Sequence, residues 1–171
     1  IRIAEASEGK PIFISDSGDN VTAGAAGDLP LFVERLLAMK VKRVVVGGII
    51  DPVAVMRCRE AGVGNRIRVE IGGRIDRVNG YPVEVRGRVM NVIEDRVVFK
   101  SDGVDILLTG HRMAWTTLES FRAFKINPED YKIVVVKLGY LTPEFRMVAA
   151  KSIMALSPGF TDQRLDKLNY R

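Results

Sequence analysis

The stretch RVVVGGIIDPVAVMRCREAG, residues 43–62, sets the fold class of this chain. Its first half is a β-branched run that is apolar on both faces, which is typical of a strand buried between layers of helices. Its second half has the marks of a helix, because Asp51 is a candidate N-cap, Pro52 occupies the first helical position and Gly62 is placed to end it. A buried strand that leads directly into a helix predicts an α/β fold.

Similar segments recur along the chain. Three further apolar runs predict buried strands: PIFIS at 11–15, DILLTG at 105–110 and KIVVVK at 132–137. Three further helices are predicted: one over 28–40 with Asp28 as a candidate N-cap, one from the capping box Thr116-Thr117-Leu118-Glu119 through Phe121 and Phe124, and one opening at Thr142-Pro143-Glu144. Four helices on a sheet are therefore expected.

Residues 66–105 have a different pattern, in which apolar and polar residues alternate between turn signals at Gly72-Gly73, Asn79-Gly80 and Glu94-Asp95. This pattern predicts antiparallel hairpins inserted into or beside the parallel-type strands. The predicted fold is thus α/β, a mixed sheet with parallel-type core strands flanked by helices, plus an antiparallel hairpin section around 66–105. Since no repeat, low-complexity segment or linker interrupts it, the chain is expected to be one domain over 1–171.

The composition limits the class of protein. The chain has 171 residues, of which 47% are hydrophobic and 27% charged, and no apolar run approaches the length that crosses a bilayer. Cys58 is the single cysteine, so an internal disulfide is excluded and a reducing, cytoplasmic location is expected. The chain starts at Ile1 rather than methionine, which suggests a fragment of a longer protein.

The net charge of +5 is modest, and its distribution argues against nucleic acid. Arg86 and Arg88 alternate with small or apolar residues, and Glu84 lies on the same predicted face, as expected of a half-exposed strand. No aromatic ladder accompanies these bases. A solvated sheet face is favoured over a nucleic-acid patch, and neither nucleic acid nor a membrane is expected as a partner.

The segment SDSGDNVTAGAAGD, residues 15–28, directly follows the first predicted strand. Loops at the carboxyl ends of such strands commonly bind ligands in α/β proteins. Hard oxygen ligands are available from Asp16, Asp19 and Asp28, while Gly24 and Gly27 would let the backbone approach a ligand closely. The alternative is that Asp16 and Asp19 make Asx-turns and Asp28 caps its helix, and the local pattern favours neither interpretation.

Other polar groups also follow apolar runs, and parallel strands would gather them at the same edge: Asp51, Thr109-Gly110-His111-Arg112 and Lys137. For Asp51 a role as N-cap alone is favoured. His111 is the only histidine in the sequence, and a structural or cleft-rim role is favoured because no orienting partner for a catalytic base is evident. Core packing is expected for Cys58, Trp115, Phe121 and Phe124.

Ordered motifs across nearly the whole chain resemble the carboxyl-terminal domain of the MlrC-like metallopeptidases. DSGDNVTAGAAGD resembles the family's Asp-x-x-Asp-Asn-Pro-x-Gly-Gly-x-Pro-Gly-Asp loop, and GGIIDPVAVMRCREAGVG its Asp-Pro-x-Ala-Val segment. Further likenesses follow in order: EIGGRIDRVNGYPVEVRGRV, DILLTGHRMAWTTLESFRAFKINPEDYKIVVVK, Phe145-Arg146, Pro158-Gly159 and the closing LDKLNYR.

The resemblance implies a two-domain parent protein whose amino-terminal domain, absent from this chain, holds most of a divalent metal site, expected to be zinc. The implied chemistry is hydrolysis of amide bonds in small peptide or N-acyl substrates, with a metal-polarised carbonyl attacked by metal-activated water. Within it, Asp16, Asp19, Asn20 and Asp28 would line the cleft, with Asp19 as a candidate metal ligand, and Lys137 and Arg146 would hold a substrate carboxylate. The isolated domain is expected to be inactive.

The sequence also departs from the family pattern. The proline- and glycine-rich part of the loop is replaced by Val21–Ala26, a family histidine is missing between Lys137 and Arg146, and a family glutamine is Ala114. Two alternatives to an enzyme domain therefore stay open. One is a non-catalytic module that binds a small anion at helix amino termini, and the other is an assembly domain whose 66–105 hairpins pair with another subunit, including a homo-oligomer.

Overall fold

A computed structural model describes residues 1–164 and 166. Of the closing LDKLNYR motif, all residues except Asp166 lie outside the described part. The strands are β1 (Ile12–Asp16), β2 (Val44–Ile50), β3 (Arg66–Ile71), β4 (Val83–Ile93), β5 (Arg96–Ser101), β6 (Val104–Thr109), β7 (Ile133–Val136) and β8 (Lys151–Ala155). The helices are α1 (Arg2–Ala6), α2 (Leu31–Ala38), α3 (Pro52–Ala61), α4 (Leu118–Arg122) and α5 (Pro143–Val148).

All of these strands form one sheet in the order β3-β4-β5-β6-β2-β7-β1-β8. From β6 to β8 the neighbours are parallel, whereas β3, β4, β5 and β6 are antiparallel to one another. The α/β mixed sheet predicted from the sequence is therefore confirmed. The hairpins of the 66–105 section lie beside the parallel strands, and β6 belongs to both parts.

Helices cover both faces of the parallel part, as its fully apolar strands require. On one face, Phe32, Val33 and Leu36 of α2 and Ala54, Val55 and Cys58 of α3 pack against β1, β2 and the antiparallel strands. On the other face, an aromatic group from α4, α5 and the preceding loop packs on Phe13, Val45 and Val134: Trp115, Phe121, Phe124 and Phe145. The core roles predicted for Cys58, Trp115, Phe121 and Phe124 are confirmed.

The antiparallel part is covered on one face only. Val85 and Val89 are buried, while Glu84, Arg86 and Arg88 are exposed on the opposite side. The nearest cation to Glu84 is Arg68, whose Nε lies 3.4 Å from its carboxylate. The prediction of a solvated, mixed-charge sheet face is confirmed.

Helix α3 begins as its sequence predicts. The Asp51 side chain accepts a hydrogen bond of 2.9 Å from the N–H of Ala54, Pro52 is at the first helical position and Gly62 ends the helix with φ +82°. Helix α2 differs, because it starts at Leu31 with Pro30 as its N-cap. The prediction that Asp28 caps this helix is wrong, and the role of Asp28 is described below.

Candidate functional site

The loops that follow β1, β2, β6, β7 and β8 lie at one edge of the sheet, because these strands are parallel. Backbone hydrogen bonds join them to one another. The N–H of Ile50 donates to the carbonyl of Gly27 at 3.0 Å, and the N–H of Asp51 donates to the carbonyl of Thr109 at 2.9 Å. The Arg112 guanidinium donates to the carbonyl of Val21. The predicted gathering of strand-end groups at one edge is thus observed.

A buried ion cluster lies beneath this edge. The Lys137 ammonium lies 2.6 Å from Oδ2 of Asp19 and 3.2 Å from Oδ2 of Asp16, and it donates a third hydrogen bond to the carbonyl of Leu29 at 2.8 Å. The three side chains are at most 2% exposed. Since β1 and β7 are neighbours, Asp16 at the end of β1 lies next to Lys137 at the end of β7. One ammonium thus compensates two carboxylates inside the molecule.

Asp19 also closes the loop that follows β1. Its Oδ1 accepts a hydrogen bond of 2.6 Å from the N–H of Gly27, and its Oδ2 accepts one of 2.8 Å from the N–H of Leu29. Charge-assisted bonds of this kind are about twice as strong as neutral ones. Together with Lys137 they engage both oxygens of the carboxylate. Asp19 therefore holds the loop in shape, with three donors already bound to it.

The segment that follows β8 crosses the same loop and was not predicted from the sequence. Ser157 donates a hydrogen bond to Asp16 and accepts one of 3.0 Å from the N–H of Gly18. The Thr161 hydroxyl lies 2.8 Å from the carbonyls of both Ser17 and Gly18 and accepts from the N–H of Asn20 at 3.1 Å. Residues 157–161, called the strap below, thus satisfy backbone groups of the loop from outside.

Burial and charge act in opposite directions in the ion cluster. Burial raises the pKa of Asp16 above its usual value, although the neighbouring Lys137 and the Ser157 hydroxyl oppose the shift. Burial alone would lower the pKa of Lys137, but the carboxylates of Asp19 and Asp16 outweigh it and raise that pKa. The cluster therefore retains protons more strongly than its separated groups would.

This shift predicts a pH dependence for the variant Asp16→Asn. Because the pKa of Asp16 is raised in the folded state, its contribution to stability is present at low pH and is lost as the pH rises from 3.8 through the folded pKa. The variant has no such group, so its free energy of unfolding should improve relative to the unmodified chain between about pH 4 and pH 7. Urea unfolding of the variant and of the unmodified chain at about pH 4 and pH 7 measures how far their free energies of unfolding differ. The same difference at both pH values would contradict the expectation.

Asp28 and Asp51 anchor the glycine-containing loop that follows β3. Asp28 accepts hydrogen bonds from the N–H groups of Ile75 at 2.6 Å and Asp76 at 3.3 Å. Asp51, besides capping α3, accepts from the N–H of Gly72 at 2.8 Å and pairs with Arg74 at 3.2 Å. The prediction of an N-cap role for Asp51 is confirmed but incomplete, because the same carboxylate also positions the loop at 72–79.

Of the remaining predicted site residues, some are buried and others are exposed. Asn20, Gly27 and Thr109 are buried, and Asn20 accepts a hydrogen bond from the N–H of Thr22 at 3.0 Å. Gly24 and Arg112 are exposed at the same edge of the sheet. Arg146 is exposed on α5, and within the described residues no hydrogen bond or ion pair joins it to the ion cluster. Of the two predicted carboxylate-binding groups, Lys137 is thus buried and Arg146 is exposed.

His111 has an orienting partner that the sequence did not disclose. Its Nδ1 lies 2.5 Å from Oδ2 of Asp95, in the turn between β4 and β5. The hydrogen bond from His111 lowers the pKa of the Asp95 carboxyl. The signal available in the sequence was weak, because Glu94-Asp95 fits an ordinary hairpin turn and lies 16 residues before the histidine. Antiparallel pairing of β5 with β6 brings the two together.

Within the described part of the chain, the donor atoms do not fit a resident metal ion. Among residues 1–164 and 166, no three His, Cys, Asp or Glu side chains are arranged so that they could hold one. The carboxylates of the acidic loop are already hydrogen-bonded, as described above. Burial raises the pKa of the Cys58 thiol to about 11, so this thiol stays protonated and is a poor ligand.

Comparison with known proteins identifies the family. A model of the MlrC C-terminus matches residues 14–171, which is most of the chain. The chain belongs to the MlrC C-terminus family. Among characterised relatives of this MlrC domain, Microcystinase C from Sphingomonas sp. is 30% identical over 151 residues, which is 80% of this chain. The chain spans only 30% of the length of that relative.

A solved structure shows the same fold as this MlrC domain. It is a crystal structure of a protein from Mesorhizobium sp. BNC1 that is described as a candidate metallopeptidase. The TM-score is 0.84 at 21% sequence identity, over 99% of this chain and 38% of the other. At this identity the likeness concerns the fold alone. Among the described residues, no helix is long and apolar enough to span a membrane.

Proposed function

We propose that this MlrC domain, residues 1–171, forms one side of the active-site cleft in a larger zinc-dependent amide or peptide hydrolase. The observation that carries the proposal is the meeting of five strand-end loops at one sheet edge, with exposed polar groups above a buried ion cluster. Membership of the MlrC C-terminus family supports it. The amino-terminal domain of the parent protein is the proposed partner across the cleft.

The proposal assigns the metal to that other domain. Support comes from the donor atoms of this chain, because the acidic loop uses its carboxylates internally and the described residues offer no group of three ligands. In such hydrolases the metal polarises the scissile carbonyl and activates water. The part played by this chain is then to bind and orient the substrate and to keep the cleft rigid. Cytoplasmic location belongs to the same proposal and is supported by the free, buried Cys58.

Arg112 is the proposed contact for a carboxylate of a small peptide or N-acyl substrate. Its guanidinium is exposed at the cleft edge, and one nitrogen is fixed by the carbonyl of Val21. A planar guanidinium held in this way presents further donors that suit a carboxylate. Lys137, which the family resemblance also offered for this role, is 1% exposed and is engaged by Asp16 and Asp19. Its proposed role is therefore to support the loop.

The test is hydrolysis by the whole protein, measured as amine release from a panel of linear peptides and N-acyl amino acids with added zinc. Activity should disappear on chelation and return with metal, while this domain alone should show none. Arg112→Ala should lower kcat/KM by roughly 10- to 100-fold, since a charge-assisted hydrogen bond contributes about 1.5–3 kcal/mol. Absence of turnover with every divalent metal tried would refute the proposal.

A matched control removes an exposed arginine of helix α4. Arg122 pairs with Glu119 at 3.7 Å, and both side chains are exposed. Pairs of this kind contribute about 0–1 kcal/mol to stability, and Arg122→Ala should leave kcat/KM unchanged. If both arginine variants lost activity equally, the assigned role of Arg112 would be wrong.

A further inference from the structure

The single histidine of the chain forms a dyad with Asp95 at the cleft edge. The ring nitrogen Nδ1 of His111 lies 2.5 Å from Oδ2 of Asp95, and the two side chains are 59% and 38% exposed. A carboxylate can only accept a hydrogen bond, so the neutral ring must carry its proton on Nδ1. Its other nitrogen, Nε2, then has a free lone pair. No hydrogen-bond partner of Nε2 occurs within residues 1–164 and 166.

The backbone is arranged around this dyad. The N–H of Gly110 donates to the carbonyl of Asp95 at 2.9 Å, which brings the two strand ends together. A β-carbon at position 110 would lie 3.1 Å from Oδ2 of Asp95, tighter than an ordinary contact, so glycine permits the close approach. The Thr109 hydroxyl donates to the carbonyl of His111 at 3.1 Å and accepts from its N–H. The ring is thus positioned by both its side-chain partner and its main chain.

A cavity of about 410 Å³ lies directly beside the dyad, and its size falls within the usual range of small-molecule sites. Asp95 and Gly110 form one of its walls. The apolar wall comes from α3: Pro52, Val55 and Met56. The carboxylate that orients His111 therefore also borders a space suited to an apolar side chain of a peptide.

We infer that His111 carries the proton to the leaving nitrogen of the scissile amide, with Asp95 as its positioning residue and the adjacent cavity as the subsite for a substrate side chain. The inference rests on the proposed hydrolase function. In the attack, Nε2 takes a proton from the water whose oxygen forms the new C–O bond. When the C–N bond breaks, its electron pair stays on nitrogen and the same proton moves from Nε2 to that nitrogen. The imidazole ends neutral, as it began.

The charged groups around the dyad come from several elements. Glu94 precedes Asp95 in the same turn and pairs with Arg96 of β5, which contributes to the lowered pKa of the Asp95 carboxyl. Arg112 follows His111 in the chain, and Arg59 and Glu60 of α3 lie across the cavity. The charges of these groups contribute to the electrostatic potential at the His111 ring, where the proton is transferred.

Nuclear magnetic resonance tests the hydrogen bond between His111 and Asp95, and it does not require enzyme activity. Because the chain has one histidine, its spectrum contains one set of imidazole signals. Long-range nitrogen spectra of this chain should show the neutral ring protonated on Nδ1, and Asp95→Ala should shift it toward the form protonated on Nε2. A ring already protonated on Nε2 in the unmodified chain would overturn the dyad.

Kinetics of the whole protein test the role. His111→Gln should lower kcat on amides about 10²- to 10⁴-fold with little change in KM, the range that general acid–base catalysis contributes. Asp95→Asn should cause a smaller loss and alter the pH profile of kcat. The loss in His111→Gln should be at least about 10-fold smaller on an activated ester than on an amide. Both reactions need a proton taken from the attacking water, but only the amide also needs one delivered to its leaving group. A merely structural histidine would affect both substrates equally.

The control is Glu119→Gln, which breaks the exposed ion pair with Arg122 and should not change either rate. If the unmodified protein hydrolyses amides and His111→Gln keeps its kcat, the role of His111 is wrong while the hydrolase proposal stands. Equal losses on amide and ester would also overturn the proton transfer. If the unmodified protein hydrolyses no amide with any metal, the proposed function fails, and the role of His111 fails with it.

Discussion

Lys137→Met should lower the free energy of unfolding by about 3–5 kcal/mol, because it leaves two buried carboxylates without their cation. Lys137 is 1% exposed and contacts both Asp16 and Asp19. Methionine has a similar length and fills most of the space, so the loss would report the missing charge rather than a cavity. Urea unfolding followed by circular dichroism at pH 7 measures it.

The control for this variant is Lys151→Met at the start of the edge strand β8, where the side chain is exposed. Surface substitutions of this kind usually change stability by less than about 0.5 kcal/mol. A loss below about 1 kcal/mol for Lys137→Met would show that the carboxylates are solvated or protonated in the folded chain. The structural role assigned to the cluster would then be wrong.

Gly48→Ala should lower the free energy of unfolding by about 2–5 kcal/mol through two separate effects. Gly48 has φ +82°, a region that other residues rarely adopt, and it lies in a strand whose register shifts between Val46 and Ile49. A β-carbon there would also lie 2.0 Å from Nε1 of the buried Trp115. The indole would have to move, which would disturb the aromatic group on this face of the sheet.

Gly64→Ala separates the two effects. Gly64 has φ +90°, and a β-carbon there would meet no atom within 4 Å. It therefore reports backbone strain alone, which costs on the order of 1–3 kcal/mol. Equal losses at positions 48 and 64 would contradict a contribution from Trp115, and a thermal melt of each variant is sufficient to compare them.

The parallel strands β1, β2, β6 and β7 and the start of α3 could be predicted from the sequence because they depend on local patterns. The β-branched run before Asp51, the proline after it and Gly62 all act within a few residues of one another. Helix α4 shows where local patterns fail. Thr117 is its N-cap but makes no side-chain hydrogen bond, and the N–H of Leu118 instead donates to Glu144 of α5 at 2.9 Å. A partner from another helix replaces the predicted capping box.

The location of the candidate site could be predicted from the sequence, but the contacts between its side chains could not. The order of strands and loops indicated that Asp16, Asp19 and Lys137 would meet at one edge, and they do. The burial of Lys137 depends on the partners that surround its ammonium group. One of them, Asp16, lies 121 positions away in the sequence, so local patterns do not predict it. The pairing of Asp95 with His111 depends on strand register, and the strap depends on β8, whose short and half-exposed strand has no strong pattern.

The strap has a consequence for how this molecule is made. Residues 17–20 and 157–161 are joined by hydrogen bonds across more than 130 positions, so the first loop cannot take its final form early. On the ribosome, where the amino-terminal part emerges first, Asp16 has neither Lys137 nor Ser157 beside it until most of the chain has been translated. This loop therefore reaches its final form only after residues 157–161 have been translated, and a product that ends before them would lack the hydrogen bonds of the strap.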